Sequence, residues 1–262
     1  MNIKFYKYQG TGNDFILIDN RKKEIQLNAE QVKFLCDRKF GIGADGLMLL
    51  ELEPGVDFKM VYFNSDGHES SMCGNGGRCI TAFAKRIGLI NESAKFLAID
   101  GMHESKIGEE IISLKMNDVK NIEKGDQFYF LNTGSPHYVK FVYDVKNFNV
   151  YEEGKKIRNS QRFVAEGTNV NFIEKIDNSV FVRTYERGVE AETLSCGTGV
   201  TAAALIAAMS GHANGKNNCS VSTLGGNLNV KFEKVLESNF YNIWLEGPAE
   251  FVFEGEINIS EK

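Results

Sequence analysis

The feature that most constrains this chain is the repetition of short landmarks between its two halves, because self-similarity at one offset means one folding unit built twice. Cys73-Gly74-Asn75-Gly76 recurs 123 positions later as Cys196-Gly197-Thr198-Gly199. Each quartet opens a run of helix-forming residues. Each run stops at a glycine, Gly88 and Gly211, also 123 apart, where the left-handed residue that ends a helix would stand. Upstream, Tyr62-Phe63-Asn64 lies 123 positions before Tyr185-Glu186-Arg187, and the stretches 58–63 and 180–185 read as strands. Thr11-Gly12-Asn13 answers Thr133-Gly134-Ser135 at 122, and Gly43 answers Gly167 at 124.

Five landmarks in one order predict an α+β fold of two pseudo-symmetric domains, mainly antiparallel. A length of 262 residues suits about two domains. Asn28-x-x-Gln31 has the form of a capping box and predicts a helix running to about Lys39, followed by strands at 46–51 and 58–63. The polar stretch 117–125 marks the boundary, giving halves 1–117 with Cys73 and 118–262 with Cys196. No long linker separates them, so the halves are expected to abut.

Charge and residue usage exclude several function classes. A net charge of -5, with no dense Lys/Arg block, offers no footprint for a phosphate backbone, so nucleic acid is not an expected partner. The longest apolar run, 200–209, is too short to cross a bilayer, and residues 1–10 lack a signal pattern; a cytoplasmic protein without membrane attachment is expected. Five cysteines form no C-x-x-C pair, and their odd number argues for free thiols. The four histidines show no metal-ligand spacing, so no metal site is expected.

A cysteine at the first turn of a helix feels unpaired backbone N–H groups and the positive end of the helix dipole, both of which favour thiolate. The Gly-x-Gly that follows keeps side chains away, so the same N–H groups can hold a carboxylate. One copy alone reads as a turn with a small buried thiol. Two copies related by duplication can place two thiols on opposite sides of one cleft, which suits stereoinversion without pyridoxal phosphate or any other cofactor: one thiolate removes an α-proton while the other thiol delivers one to the opposite face. Phosphate binding is not supported, because neither a Walker A sequence nor a complete G-x-G-x-x-G is present. Cys36 and Cys79 read as packing residues, and Cys219 lies in an expected strand.

On these residues the chain resembles the diaminopimelate epimerase family. Matching segments are Gly10 to Phe15, Phe63 to Gly67, Met72 to Cys79, Glu186 to Gly188 and Leu194 to Gly199, in the family's order and spacing. The resemblance implies two domains that each wrap a sheet around a central helix, with 251–262 returning to the first. It also implies conversion of L,L-diaminopimelate to the meso form for lysine and cell-wall synthesis, and homodimerisation. Cys73 and Cys196 would be the acid/base thiols, His137 would assist Cys73, and Glu186 would assist Cys196. Asn13 and the N–H groups of Gly74, Asn75, Gly197 and Thr198 would hold the reacting end, while Asn64, Asn169 and Arg187 would hold the distal amino-acid group. Three departures stand out: Ser135 replaces a usual asparagine, Gly46 a frequent glutamine, and the stretch from 186 to 196 is one residue longer than the family's common pattern. A shifted substrate contact is expected from them, not another reaction.

Three rival readings remain at this point. A proline or hydroxyproline racemase would use the same paired thiols on a cyclic substrate, although Arg187, Asn64 and Asn169 fit a second charged end better. A phenazine-pathway isomerase of related fold would lack the cysteine pair. From another class, a redox-sensing ligand-binding module could use the two cysteines as a switchable disulfide.

Overall fold

The computed structural model describes residues 1–259. The chain forms two compact units, Met1–Leu114 joined by the chain from Pro248 onward, and Lys115–Gly247. The boundary therefore falls slightly before 117, and the second unit ends well before the C-terminus.

In the first unit, β1 (Asn2–Gly10) and β2 (Asn13–Asp19) form a hairpin whose tip, Thr11 and Gly12, has positive φ. Helix α1 (Ala29–Cys36) starts on the expected capping box, Asn28 and Gln31 bonding each other's backbone reciprocally. It stops short of Lys39 because Asp37 turns extended and its carboxylate accepts the N–H groups of Lys39 and Phe40, which closes a turn instead. Strand β3 (Gly46–Glu51) runs parallel to β2, and β4 (Phe58–Asn64) antiparallel to β3. The Leu47 to Leu50 run is buried throughout, as a strand covered on both faces requires. Helix α2 (Gly74–Arg86) follows, then β5 (Ser93–Ala98), parallel to β4, and the meander β6 (Gly101–Ile107) and β7 (Ile112–Lys115).

The second unit repeats this order. A short β8 (Glu123–Lys124) edges β9 (Tyr129–Asn132), which pairs with β10 (Pro136–Phe141). Helix α3 (Val150–Arg158) precedes β11 (Asn169–Ile176), parallel to β10, and β12 (Ser179–Glu186), antiparallel to β11. A small hairpin strand β13 (Ala191–Thr193) leads into helix α4 (Gly197–Met209). Then β14 (Asn218–Thr223) runs parallel to β12, followed by antiparallel β15 (Gly226–Leu236) and β16 (Asn239–Gly247).

Both units therefore pair successive strands in the same sequence of senses, two parallel steps set among antiparallel ones, with the cysteine-led helix inserted at the same step. That helix is the centre of each unit. Residues of α4 from Val200 to Ala207 are all buried and pack on β10, β11, β12 and β14, while α2 packs on β1, β2, β3 and β6. A helix apolar on every side needs cover on every side, and the curled sheet supplies it. Gly88 and Gly211 follow the C-caps with φ of +71° and +73° and end the two helices as their positions predict.

The last strand, β17 (Glu250–Asn258), pairs with β1 from Asn2 opposite Asn258 to Gln9 opposite Glu250. The first strand of the first unit is thus edged by the chain's end, where β8 edges its counterpart β9. Of the segment expected to return, 260–262 lie outside the described residues.

Sheet register corrects one landmark. Gly46 opposes Asn64 in one unit, and Val170 opposes Tyr185 in the other, which aligns Phe63 with Tyr185 and Asn64 with Glu186 at an offset of 122. The Tyr62 and Tyr185 triplets are therefore one residue out of step. The helices stand at 123, so the added residue lies in the turn between Glu186 and Cys196, where Gly188 and Glu190 both take positive φ.

Candidate active site

Cys73 is the N-cap of α2: its backbone is extended and its Sγ accepts the Gly76 N–H at 3.2 Å. The first intrahelical bond runs from Gly77 N to Cys73 O, so the Gly74 and Asn75 N–H groups lie in the turn ahead of it. This contact favours charge on the sulfur over the neutral thiol. Asn13, at the start of β2, lies beside it, with Oδ1 4.0 Å from Cys73 Sγ and 3.5 Å from Asn75 Nδ2. Asn64 ends β4 opposite Gly46, its backbone N–H bonded to the His68 carbonyl.

Asn13 is held from behind by charge. Its Nδ2 donates to Asp45, whose carboxylate also receives Arg38; Arg38 in turn grips Asp14, and Asp14 pairs with the buried Lys7 at 2.8 Å. Lys7 Nζ also donates to the Gly43 carbonyl. Burial alone would raise the Asp14 carboxyl, but the bonds from Arg38 and Lys7 outweigh it and hold its pKa at about 2.

Arg78, one turn into α2, is a finding that the sequence did not announce. Its side chain is fully buried, and its partners are neutral oxygens: the carbonyls of Gly74 and Pro248, Thr11 Oγ1 and Asn75 Oδ1. Burial lowers its pKa to about 10, against the pull of the Cys79 and Cys73 sulfurs. Because a guanidinium only donates, it fixes Asn75 with Oδ1 inward and Nδ2 toward Asn13.

In the second unit Cys196 caps α4 in the same extended conformation, with Sγ 3.5 Å from Thr198 Oγ1. Thr133 Oγ1 donates to the Thr198 carbonyl at 2.8 Å, tying the β9–β10 turn to the helix start beside Gly197. Glu186 ends β12 half-buried, and its Oε2 accepts from Thr193 Oγ1 at 2.8 Å. His137, on β10, is fully buried, and burial followed by the Arg187 charge lowers its pKa to about 3.

Asn169 and Arg187 lie side by side. The Arg187 backbone N–H donates to Asn169 Oδ1 at 2.9 Å, and Ser135 Oγ bridges Asn169 Nδ2 at 2.9 Å and Arg187 Nη2 at 3.4 Å. Ser135, the departure from the family pattern, thus stays within this cluster. Gly167 makes room for it: its φ is +76°, and a Cβ there would stand 2.7 Å from Arg187 Cδ.

The second glycine of each quartet has a different reason from the one expected. A Cβ on Gly76 would meet Met48 Cε at 2.5 Å, and one on Gly199 would meet Asn171 Oδ1 at 2.5 Å. These glycines let the helix start sit on its own sheet; close approach of a ligand is not what excludes a side chain there. Burial pushes the Cys36 thiol up to about 12, Cys219 up to about 11, and Cys79 upward also. Among the described residues no cluster of His, Cys, Asp or Glu could hold a metal, and no helix is long and apolar enough to cross a membrane.

Two units of one topology, each a curled sheet around a central helix, define a structural class with known members. A phenazine biosynthesis protein of the PhzF family from Bacillus anthracis superposes with a TM-score of 0.76 over 99% of this chain and 100% of its own, at 16% identity. A probable proline racemase from Agrobacterium radiobacter gives 0.70 over 98% and 93%, at 14% identity. Such likeness speaks for the fold alone. In sequence, the diaminopimelate epimerase model matches residues 5–118 and 129–252. The diaminopimelate epimerase of Flavobacterium psychrophilum is 53% identical, covering 97% of this chain and all of its own length, and that of Chlorobaculum tepidum is 41% identical over 95% and 99%. The chain belongs to the diaminopimelate epimerase family and is, by that membership, an isomerase; the racemase and binding-module readings are not favoured.

Proposed function

We propose that this chain interconverts L,L- and meso-diaminopimelate by proton transfer through Cys73 and Cys196, without pyridoxal phosphate. The observation that carries the reading is the matched pair of cysteine N-caps, one per unit, on helices whose first N–H groups belong to Gly74 and Asn75 and to Gly197 and Thr198. One thiolate takes the α-proton and becomes a thiol. The other thiol gives its proton to the opposite face and becomes a thiolate, so charge is conserved and turnover in the reverse direction starts from the product state. The carbanion's charge passes into the α-carboxylate, which those N–H groups and Asn13 stabilise.

His137 assists Cys73 and Glu186 assists Cys196 in this scheme. Asn64, Asn169 and Arg187 hold the distal group, whose binding positions the reacting carbon. The Asn169–Ser135–Arg187 cluster supports the assignment, since a guanidinium and amide oxygens suit a carboxylate with an ammonium beside it. A place in lysine and peptidoglycan precursor synthesis, in the cytoplasm and as a homodimer, completes the proposal.

The test is isotope exchange on reduced protein with no cofactor added. L,L-diaminopimelate in heavy water gains solvent deuterium at one α-carbon of the product. Cys73→Ala and Cys196→Ala each abolish inversion, while Cys36→Ala and Cys79→Ala leave it. Full activity in either of the first two variants would remove the two-thiol mechanism, and turnover of free proline in place of diaminopimelate would change the substrate.

A further inference from the structure

The two units differ most where the duplication makes comparison strict, in the floor beneath each helix start. Register aligns Phe15, Met48 and Tyr62 of the first unit with His137, Asn171 and Thr184 of the second: Phe15 and His137 stand opposite Gly46 and Asn169, and Met48–Tyr62 and Asn171–Thr184 are corresponding antiparallel pairs. The contacts from above agree, since Gly76 stands on Met48 and Gly199 on Asn171. Phe15 and Tyr62 pack edge to face at 6.0 Å, an ordinary apolar floor. The Tyr62 hydroxyl is the one polar side-chain group of this trio. The second unit instead buries an imidazole, an amide and a hydroxyl, all nine-tenths or more buried, at a larger desolvation cost than two apolar side chains and one phenol carry.

The hydrogen bonds of that trio have one consistent reading. A carbonyl only accepts, so the Asn171 atom 3.0 Å from the Tyr138 carbonyl is its Nδ2. The other side of the amide, Oδ1, accepts from Thr184 Oγ1 at 3.0 Å. The second hydrogen of Nδ2 then points at His137 Nδ1, 3.1 Å away, and a donor there requires an unprotonated Nδ1. A neutral imidazole with Nδ1 bare carries its proton on Nε2. Among the described residues Nε2 has no hydrogen-bond partner, although it is buried. A buried donor without an acceptor is costly and rare, which marks it as a group kept for an acceptor that arrives with the reaction.

We propose that Asn171 is a positioning residue that locks His137 as the neutral Nε2–H tautomer, so that His137 acts in the reaction as a hydrogen-bond donor to a sulfur anion and not as a base. An imidazole in this state has no lone pair to offer at Nε2. Protonation at Nδ1 would set two N–H groups against each other at 3.1 Å, so Asn171 also resists the imidazolium. Arg187, the charged group whose field reaches His137, acts in the same direction. The sulfur anion is the Cys73 thiolate if the function proposed above holds, and that part rests on it. The tautomer does not.

Nitrogen-15 spectra of the ring nitrogens, on the reduced full chain, read the tautomer without turnover. The expected result is a His137 signal pair with bare Nδ1 and protonated Nε2, unchanged between about pH 5 and 9. A proton on Nδ1, or a titration to imidazolium in that range, overturns the proposal. In Asn171→Asp the carboxylate accepts where the amide donated, so the proton moves to Nδ1 and kcat falls by about 10²-fold or more, the scale of a wrong-tautomer defect. A variant spectrum still showing Nε2–H overturns the role of Asn171. The wild-type spectrum decides the tautomer even if Asn171→Asp does not fold. If diaminopimelate proves not to be the substrate, the exchange assay reports that while this spectrum stays as expected.

Discussion

Replacing Asp14 with asparagine tests whether the charge network behind Asn13 is what keeps the first helix start in order. Asp14 is depressed to about 2 in the folded chain by Arg38 and Lys7. A folded pKa below the unfolded value near 3.9 contributes stability that is complete above the unfolded value and is lost as pH falls through the folded one. The shift corresponds to about 2 kcal/mol, of which about half is gone by pH 3. Only 19% of the Asp14 side chain is exposed and 7% of Lys7, so solvent screening is slight. Asp14→Asn also strands Lys7, raising the total loss at neutral pH to about 3–5 kcal/mol. Thermal unfolding of both proteins, scanned from about pH 7 to 3, reads the difference: the variant melts lower by roughly 6 °C or more at neutral pH, and the gap narrows by several degrees in acid as the wild type loses the same term. A gap of equal size at both ends would refute the reasoning, for it would mean that Asp14 titrates alike folded and unfolded. Asn13 shares Asp45 with this network, so activity should fall in the same acid range.

Two further substitutions probe the helix starts. Arg78→Met removes the buried cation whose field reaches Cys73, so the rate of Cys73 alkylation against pH should shift upward by about one pH unit; an unchanged profile would show that the guanidinium is only packing. Gly199→Ala puts a methyl 2.5 Å from Asn171 Oδ1 in a site with no slack, and should cost about 1–3 kcal/mol and most of the activity; wild-type melting and turnover together would contradict the close packing of helix on sheet.

The parts of this structure legible in the sequence are those written in backbone chemistry. A cysteine before Gly-x-Gly, a capping box at Asn28, and a glycine after each long helix are local signals, and local geometry obeys them. What could not be read were facts about partners. Arg78 sits in a helix, where a charge ordinarily means a solvated face, and nothing in the residues around it tells of the four neutral oxygens that enclose it. Asn171 lies inside a strand whose first five residues are all buried, and only the register of β10 and β12 against β11 brings His137 and Thr184 to it. The Tyr62 landmark was misaligned by one residue for a related reason. Two tyrosines look alike in sequence, but period-two alternation sends neighbouring residues of a strand to opposite faces, both of them covered here, and only pairing settles which is which.

Duplication supplies a scaffold in two copies, and the chemistry proposed for it needs the copies to differ. A proton must leave one face of a carbon and arrive at the other, so at any moment one sulfur is charged and its counterpart is not. Cys73 has two features that favour charge: its own Sγ accepts the Gly76 N–H, and a buried guanidinium lies at the next turn of its helix. Cys196 makes no such cap bond, and the position matching Arg78 holds Thr201, whose hydroxyl is spent on the Gly197 carbonyl. The polar floor of the second unit is used up in holding His137 to one tautomer. Two units of one topology thus acquire unequal electrostatics through four differences at matched, buried positions, and in the two-thiol scheme proposed above that inequality favours Cys73 as the resting anion.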